Sequence, residues 1–129
     1  MSRALDIAIA EKVMGWEVRT GVTVYDGLDM PWTVYEEPNG HVHNPIPFST
    51  DIAAAWRIVE YLRSQGWVMT LSVNEYVTEP WDCRFFLKEE KRVIGHGATA
   101  EIAICRAALA VWQDAQARLA RMEAQDDQA

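Results

Sequence analysis

From its amino-acid sequence this chain is expected to adopt an α+β fold: a single-domain α-β-α sandwich, in which helices cover both faces of a mostly antiparallel sheet of about five strands. Three segments place apolar residues at steps of three and four, which is typical of amphipathic helices. The short segments between them are rich in β-branched and aromatic residues, which favours strands. A length of 129 residues suits one domain.

The first half of the chain predicts a helix followed by two or three strands. Residues 5–16 carry one apolar stripe and predict a helix that Gly15 ends. Residues 17–25 predict a strand or a tight hairpin about Gly21, and Asp26-Gly27 predicts a turn before a strand over 31–35. Residues 36–50 contain three prolines and predict an irregular loop, a class of segment that often carries function.

The next helix has the clearest signals in the chain. Ser49-Thr50-Asp51 predicts its start and Gly66 its end. Its expected buried face consists of Ile52, Ala55, Trp56, Val59 and Leu62.

Three strands and a long helix should complete the domain. Strands are predicted over 67–73, 83–87 and 92–94, with a hairpin turn at 88–91 and a break at Gly95-His96-Gly97. Thr99 should cap a last helix that reaches about Gln125, roughly 40 Å in length. Such a helix exceeds the width of so small a domain, so the part beyond Trp112 should project, fray or pack on another subunit. We therefore assign residues 1–124 to one domain and 125–129 to a disordered tail.

Charge and cysteine content limit the function classes. Nineteen acidic and twelve basic residues give a net charge of −7, which disfavours bulk nucleic-acid binding and favours solubility or a basic partner. The sequence has no apolar run of about 20 residues and no signal-peptide pattern, so we expect no membrane association and a location in the cytoplasm. Cys83 and Cys105 share no metal-type spacing and should be reduced, with Cys105 in the core.

Three motifs connect the chain to a known family. These are Phe48-Ser49-Thr50-Asp51-Ile52-Ala53-Ala54-Ala55-Trp56, the earlier run at 11–16 and the later run at 103–109. In this order they resemble the phage ABA sandwich family of small bacteriophage and prophage proteins, and the resemblance reaches to about Trp112. It implies helices on both faces of a sheet and a phage origin, but no reaction, cofactor or functional residue. Glu101 stands where members often have proline.

Two short motifs are candidate ligand sites. The run Gly95-His96-Gly97-Ala98-Thr99 leads into a helix N-terminus and, with Arg106, could hold an anion such as a phosphate. A flexible connector explains this pattern equally well. His41-Val42-His43 has a spacing that zinc can use, but the third ligand is open among Asp29, Glu36, Glu37, Cys83 and His96. Solvated loop histidines are the favoured interpretation, so we predict no metal and no cofactor.

Six tryptophans in a chain of this length are a stronger signal. Trp16, Trp56, Trp67 and Trp112 lie on predicted apolar faces and should be core residues. A partly exposed aromatic surface could bind a partner, and its candidate residues are Trp32, Tyr35, Phe48 and Trp81. The two loop histidines, His41 and His43, are candidates for the same partner surface. The alternative is that these aromatics fill the ends of the core.

No catalytic constellation is visible, so the sequence favours a non-enzymatic protein. The main hypothesis is a phage accessory protein that binds and neutralises a host component, such as part of a defence system, through a protein interface in the host cytoplasm. The last helix would serve homo-oligomerisation. An alternative is a protein that sequesters a small nucleotide signal at the 95–99 turn and the 36–48 loop, and a small enzyme comes third.

Overall fold

The structure is a computed structural model that describes residues 3–88 and 91–127. In these residues the helices are α1 (Arg3–Ala8), which continues into a π-helical turn (Ile9–Val13), α2 (Ile52–Ser64) and α3 (Ala100–Asp127). The strands are β1 (Glu17–Tyr25), β2 (Leu28–Glu36), β3 (Val42–His43), β4 (Val68–Val73), β5 (Trp81–Leu87) and β6 (Lys91–Gly97). The predicted α+β class and the order of helices and strands are confirmed.

The strands form two sheets rather than one. One sheet has the order β1-β2-β3 and the other β4-β5-β6, and every neighbouring pair is antiparallel. The antiparallel expectation is therefore confirmed, while the single sheet of about five strands is wrong. Residues 36–50 supply the two-residue strand β3 and then Pro45 and Pro47, which cannot donate ladder hydrogen bonds. The first sheet ends there, and the chain leaves it to form α2.

The first hairpin is longer than the sequence indicated. β1 runs without interruption through Gly21, where a turn was one of two alternatives, and the reversal falls at the predicted Asp26-Gly27 pair. Both turn residues have positive φ, 51° and 74°, as the tight turns that match strand twist require.

Helix α3 is the element of the core that packs against the largest number of other elements. Its buried residues pack against β5, β6, α2 and the π-helical turn, and they are Ala103, Ile104, Cys105, Ala107, Ala108 and Val111. Several are alanines, so the helix lies close to the sheet. Facing it from β5 are the buried side chains of Cys83 and Phe85.

Strand β6 allows this close approach because two of its inward-facing residues, Gly95 and Gly97, have no side chain. A Cβ on Gly95 would lie 2.2 Å from the amide nitrogen of Ala107, and one on Gly97 would lie 2.7 Å from that of Ala103. The expected strand break at 95–97 is therefore wrong: β6 continues to Gly97, and its glycines are needed for helix packing.

The buried face of helix α2 differs from the predicted one, as if the helix were rotated about its axis. Ala55, Val59 and Leu62 are buried as expected, but Ala54 and Ile58 complete the face instead of Ile52 and Trp56, both of which are exposed. The buried side of α2 is the side that packs on α3. Trp56 instead borders a shallow cleft together with Trp67 and Val68.

The two faces of the second sheet differ in burial. Cys83, Phe85 and the two glycines of β6 face the helices, whereas Val68, Ile94 and His96 on the other face are exposed. Trp16 and Trp67 are buried as predicted, and Trp112 is half-buried.

The last helix is 28 residues long, about 42 Å at 1.5 Å per residue. It continues to Asp127, through the first three residues of the segment expected to be disordered, while Gln128 and Ala129 lie outside the described residues. Leu119 and Met122 are exposed, so the part beyond Trp112 projects from the core, as one of the alternatives held. The turn expected at 88–91 includes Glu89 and Glu90, which also lie outside the described residues.

We expect Gly95→Ala to lower the free energy of unfolding by about 3 kcal/mol, since the new methyl group would meet backbone atoms of α3 that cannot turn away. His96→Ala, on the exposed face of the same strand, should change it by less than about 0.5 kcal/mol. Urea unfolding followed by tryptophan fluorescence measures both. Equal unfolding midpoints for the two variants would contradict the packing described for α3.

Candidate protein-docking surface

The β1–β2 hairpin extends beyond the core as an arm, which we define as residues 20–33. The ladder pairs Glu17 with Glu36 at one end and Tyr25 with Leu28 at the other, so the hairpin spans about 30 Å. Near its base, Val18 is half-buried and Tyr35 is buried against the core. The outer part has most of its side chains exposed.

One face of the arm carries an apolar strip, which we define as Tyr25, Leu28, Met30 and Trp32. Side chains alternate between the two faces of a strand, and the register Gly21–Trp32, Thr23–Met30 and Tyr25–Leu28 places all four on the same face. Their relative exposures lie between 43% and 71%. On the opposite face, Val22 and Val24 are also exposed. The apolar strip is therefore a continuous apolar surface rather than a set of scattered residues.

Gly21 determines how Trp32 is held. A Cβ at Gly21 would lie 2.2 Å from Cζ2 of the indole ring, so the ring lies across the opposite strand where a side chain would otherwise be. An aromatic side chain supported in this way loses little conformational entropy on binding, which suits a contact anchor.

The charge along the arm is acidic. Asp26 and Asp29 lie at its tip, and the sequence has no Lys or Arg from Thr20 to Tyr35. The first basic side chain on β1 is Arg19, at the base, where it forms an ion pair with Glu36 at 2.9 Å.

A cleft of about 510 Å³ lies beside the base of the arm. Its wall includes Arg3, whose Nη2 donates to Oγ1 of Thr33 at 2.7 Å, and Asp6, whose Oδ1 accepts from the amide of Ser49 at 2.7 Å. Tyr35 belongs to the same wall, and desolvation, with the nearby Asp6 carboxylate, raises the pKa of its hydroxyl. The lining of the cleft therefore combines hydrogen-bonded polar side chains with apolar residues such as Pro31 and Trp32.

The aromatic surface predicted from the sequence is only partly present. Trp32 is exposed and belongs to the apolar strip, but Tyr35 is 1% exposed and Phe48 0% exposed, so their assignment to a partner surface is wrong. Both fill the core between the arm base and the first helix, as the alternative interpretation held. Trp81 is half-buried and packs against the core.

Of the two predicted histidines, His41 lies in the turn between β2 and β3, and His43 is the second residue of β3. His43 Nε2 forms a short hydrogen bond with Oε2 of Glu37, and this bond holds the pKa of the Glu37 carboxyl below its usual value. His43 also stacks on Trp16, with ring centroids 5.3 Å apart, while the side chain of His41 is exposed.

In the structure, the residues predicted to bind an anion make contacts with other residues of the protein. Gly95 and Gly97 lie in β6 against α3, and the His96 side chain points to the other face of the sheet. Thr99 Oγ1 accepts from the amide of Ile102 at 3.2 Å as a helix cap. Arg106 Nη1 donates to Oε2 of Glu79 at 2.7 Å and to the carbonyl of His96 at 2.9 Å.

The two cysteines are buried and free. Desolvation raises the pKa of each thiol to about 12, so both remain protonated at neutral pH and are weak nucleophiles.

Sequence reasoning missed Tyr25, Leu28 and Met30 as surface residues. A signal was available, because an Asp-Gly turn fixes the register of a hairpin, and that register puts these three residues on one face with Trp32. Periodicity alone did not indicate which part of the hairpin lies beyond the core.

Comparison with known proteins gives one match. The family model of the phage ABA sandwich domain matches residues 7–109, which include the arm and both sheets. No curated protein and no solved structure matches the chain. Among the described residues, no helix combines the length and apolar character that crossing a membrane requires. The match covers most of the chain, which therefore belongs to the phage ABA sandwich domain family.

Proposed function

We propose that this protein is a phage or prophage accessory protein that acts without catalysis, by binding and neutralising a host component through a protein interface. The observation that carries the proposal is the apolar strip of the arm. It exposes four large apolar side chains on one face of a projecting hairpin, and such surfaces are typical of protein interfaces.

The chemistry of the arm indicates the kind of partner. Its tip has two acidic residues and its strands from Thr20 to Tyr35 have no basic one, within a chain of net charge −7. A host protein with an apolar cleft bordered by Lys and Arg would complement both properties. A second copy of this chain would bring like charges together, so it fits the arm less well.

The backbone of the arm offers a further contact. β1 is an edge strand of its sheet, so its outer N–H and C=O groups are available to an extended segment of the partner. Side-chain contacts from the apolar strip would then give specificity.

Membership of a phage family supports a site of action inside the infected cell. A host defence component is the target we favour, and the host cytoplasm is the compartment in which we place the interaction. This proposal concerns binding, and it requires no reaction or cofactor.

The double variant Leu28→Glu, Met30→Glu should abolish partner binding, because it puts charge into the centre of the apolar strip. The experiment captures host proteins on the immobilised wild-type chain and identifies them by mass spectrometry. Each candidate is then purified and titrated against the variants. With the true partner we expect affinity to fall at least about a hundredfold, as for the loss of two central interface residues.

Val68→Glu with Val73→Glu is the matched control, since it introduces the same two charges at exposed strand residues of the other sheet. It should leave the affinity unchanged. Equal binding by the arm variant and the wild type, or capture of no host protein, would contradict the proposal.

The projecting end of α3 is proposed to serve self-association. Trp112, Ala115, Leu119 and Met122 follow one another at steps of three, four and three, the spacing of a coiled-coil seam. Leu119 and Met122 are exposed in the single chain, and a second copy of the helix would cover them.

Leu119→Glu with Met122→Glu should therefore give a monomer, whereas Gln113→Glu with Ala117→Glu, at exposed positions on the opposite face of the same helix, should not. Light scattering after size-exclusion chromatography measures the mass of each. Truncation after Gln113 should also give a monomer, although it removes the contact of Lys91 with Asp114 as well. An unchanged mass in the double variant would contradict this role of α3.

A further inference from the structure

The turn between β2 and β3 brings together three side chains that can bind a metal ion. The ligand atoms of Glu37, His41 and His43 all lie within 4.8 Å of one another. Two of these residues form the His-x-His pair of the sequence, and Glu37 is one of the five third ligands that the sequence left open.

The register of the hairpin produces this cluster. Tyr35 pairs with His43 and Glu36 with Val42, and the next amide, that of Glu37, donates to the carbonyl of His41 at 2.8 Å. Glu37 and His41 are therefore cross-strand neighbours. His43 lies two residues after His41, so its side chain is on the same face of the strand. A shift of register by one residue would separate the three.

Neighbouring groups fix the backbone of the turn and one of the rings. Gly40 has φ +90°, a conformation that other residues rarely adopt, and its amide donates to the carbonyl of Glu37 at 2.9 Å. Asn39 Oδ1 accepts from the amide of His41 at 2.9 Å. The ring of His43 is nearly parallel to that of Trp16, at an interplanar angle of 14°. The turn is thus largely organised before any ion binds.

We propose that Glu37, His41 and His43 form a binding site for a divalent late transition-metal ion, with zinc as its occupant. Two imidazoles and one carboxylate are a common ligand set for zinc, whereas magnesium and calcium prefer oxygen ligands alone. Three ligand atoms around a tetrahedral zinc ion lie about 3.3 Å apart. His43 Nε2 and Glu37 Oε2 are now closer than this because they share a hydrogen bond, so the Glu37 carboxylate would turn away from the ring as the exposed His41 side chain moves in.

The hydrogen bond between His43 and Glu37 already brings two of the proposed ligand atoms together. A proton now lies between two of the proposed ligand atoms, and a zinc ion would replace it as the group that joins them. The displaced proton leaves to solvent. Because the three side chains supply three ligands, a fourth position would remain open on the exposed side of His41.

The site is independent of the arm and of the proposed partner. Its ligands join the end of β2 to β3, and Trp16 links His43 to the end of the first helical segment. Arg57 of α2 packs over the same indole ring at 5.5 Å. A bound ion would therefore stabilise a region where three elements meet, and zinc should raise the unfolding temperature.

The test uses the full chain without a polyhistidine tag, treated with a chelator and then titrated with zinc chloride in a calorimeter. The wild type should bind one zinc ion per chain and should not bind magnesium at the same concentrations. His41→Ala and Glu37→Gln should each weaken zinc binding by at least about tenfold. Zinc should raise the unfolding temperature of the wild type but not that of His41→Ala.

His41→Ala is the decisive variant, because the His41 side chain is exposed and its removal should leave the fold intact by circular dichroism. His43→Ala is less suitable, since it also removes a stacking contact with Trp16. His96→Ala, which removes the only histidine outside the turn, is the matched control and should bind zinc as the wild type does. Zinc binding that is absent in the wild type, or equal in His41→Ala and wild type, would overturn the proposal.

Discussion

Helix α3 packs so closely on strand β6 that no side chain fits between them at positions 95 and 97. Both positions are glycine. The alanines of α3 permit the same close approach from the other side. Phe85 and Cys83 then fill the interior between helix and sheet, and α2 and the first helical segment pack around α3. Most of the buried apolar surface is thus organised about one helix, and the hydrophobic effect of this burial is the dominant stabilising contribution.

The arm follows from this arrangement. Because the core is built on α3 and the second sheet, the first sheet is held at its base, where Tyr35 and Trp16 are buried. Beyond the contact of Arg3 with Thr33, the outer residues of β1 and β2 depend mainly on cross-strand pairs, and a two-stranded ribbon without a covered face is marginal in water. A projecting hairpin that keeps exposed tyrosine, leucine, methionine and tryptophan side chains is costly for a monomer. The binding role proposed for the arm would account for that cost.

Local signals predicted the helices, the Asp26-Gly27 turn and the antiparallel pairing, since caps, Asp-Gly and residue alternation act over a few residues. The sequence alone could not show which surfaces of the helices and loops would pack against the core. Trp56 matches the helical pattern as well as Ile58 does, yet only the position of α3 decides that Ile58 is buried. Tyr35 and Phe48 looked accessible because they border a proline-rich loop, but that loop packs on the core. Glu37 could be selected from five candidate ligands only once the register of β2 with β3 was known.

The central claim is that a core organised about α3 supports an arm that is free to bind a partner, and amide hydrogen exchange tests it most directly. In the free protein, the amides of β5, those of β6 that bond to β5, and those of α3 from Ala103 to Trp112 should exchange only through rare global unfolding. Those in residues 20–33 should exchange much faster, through local opening. Protection of the arm equal to that of β5 and β6 would contradict the account, since it would mean that the apolar strip is already covered.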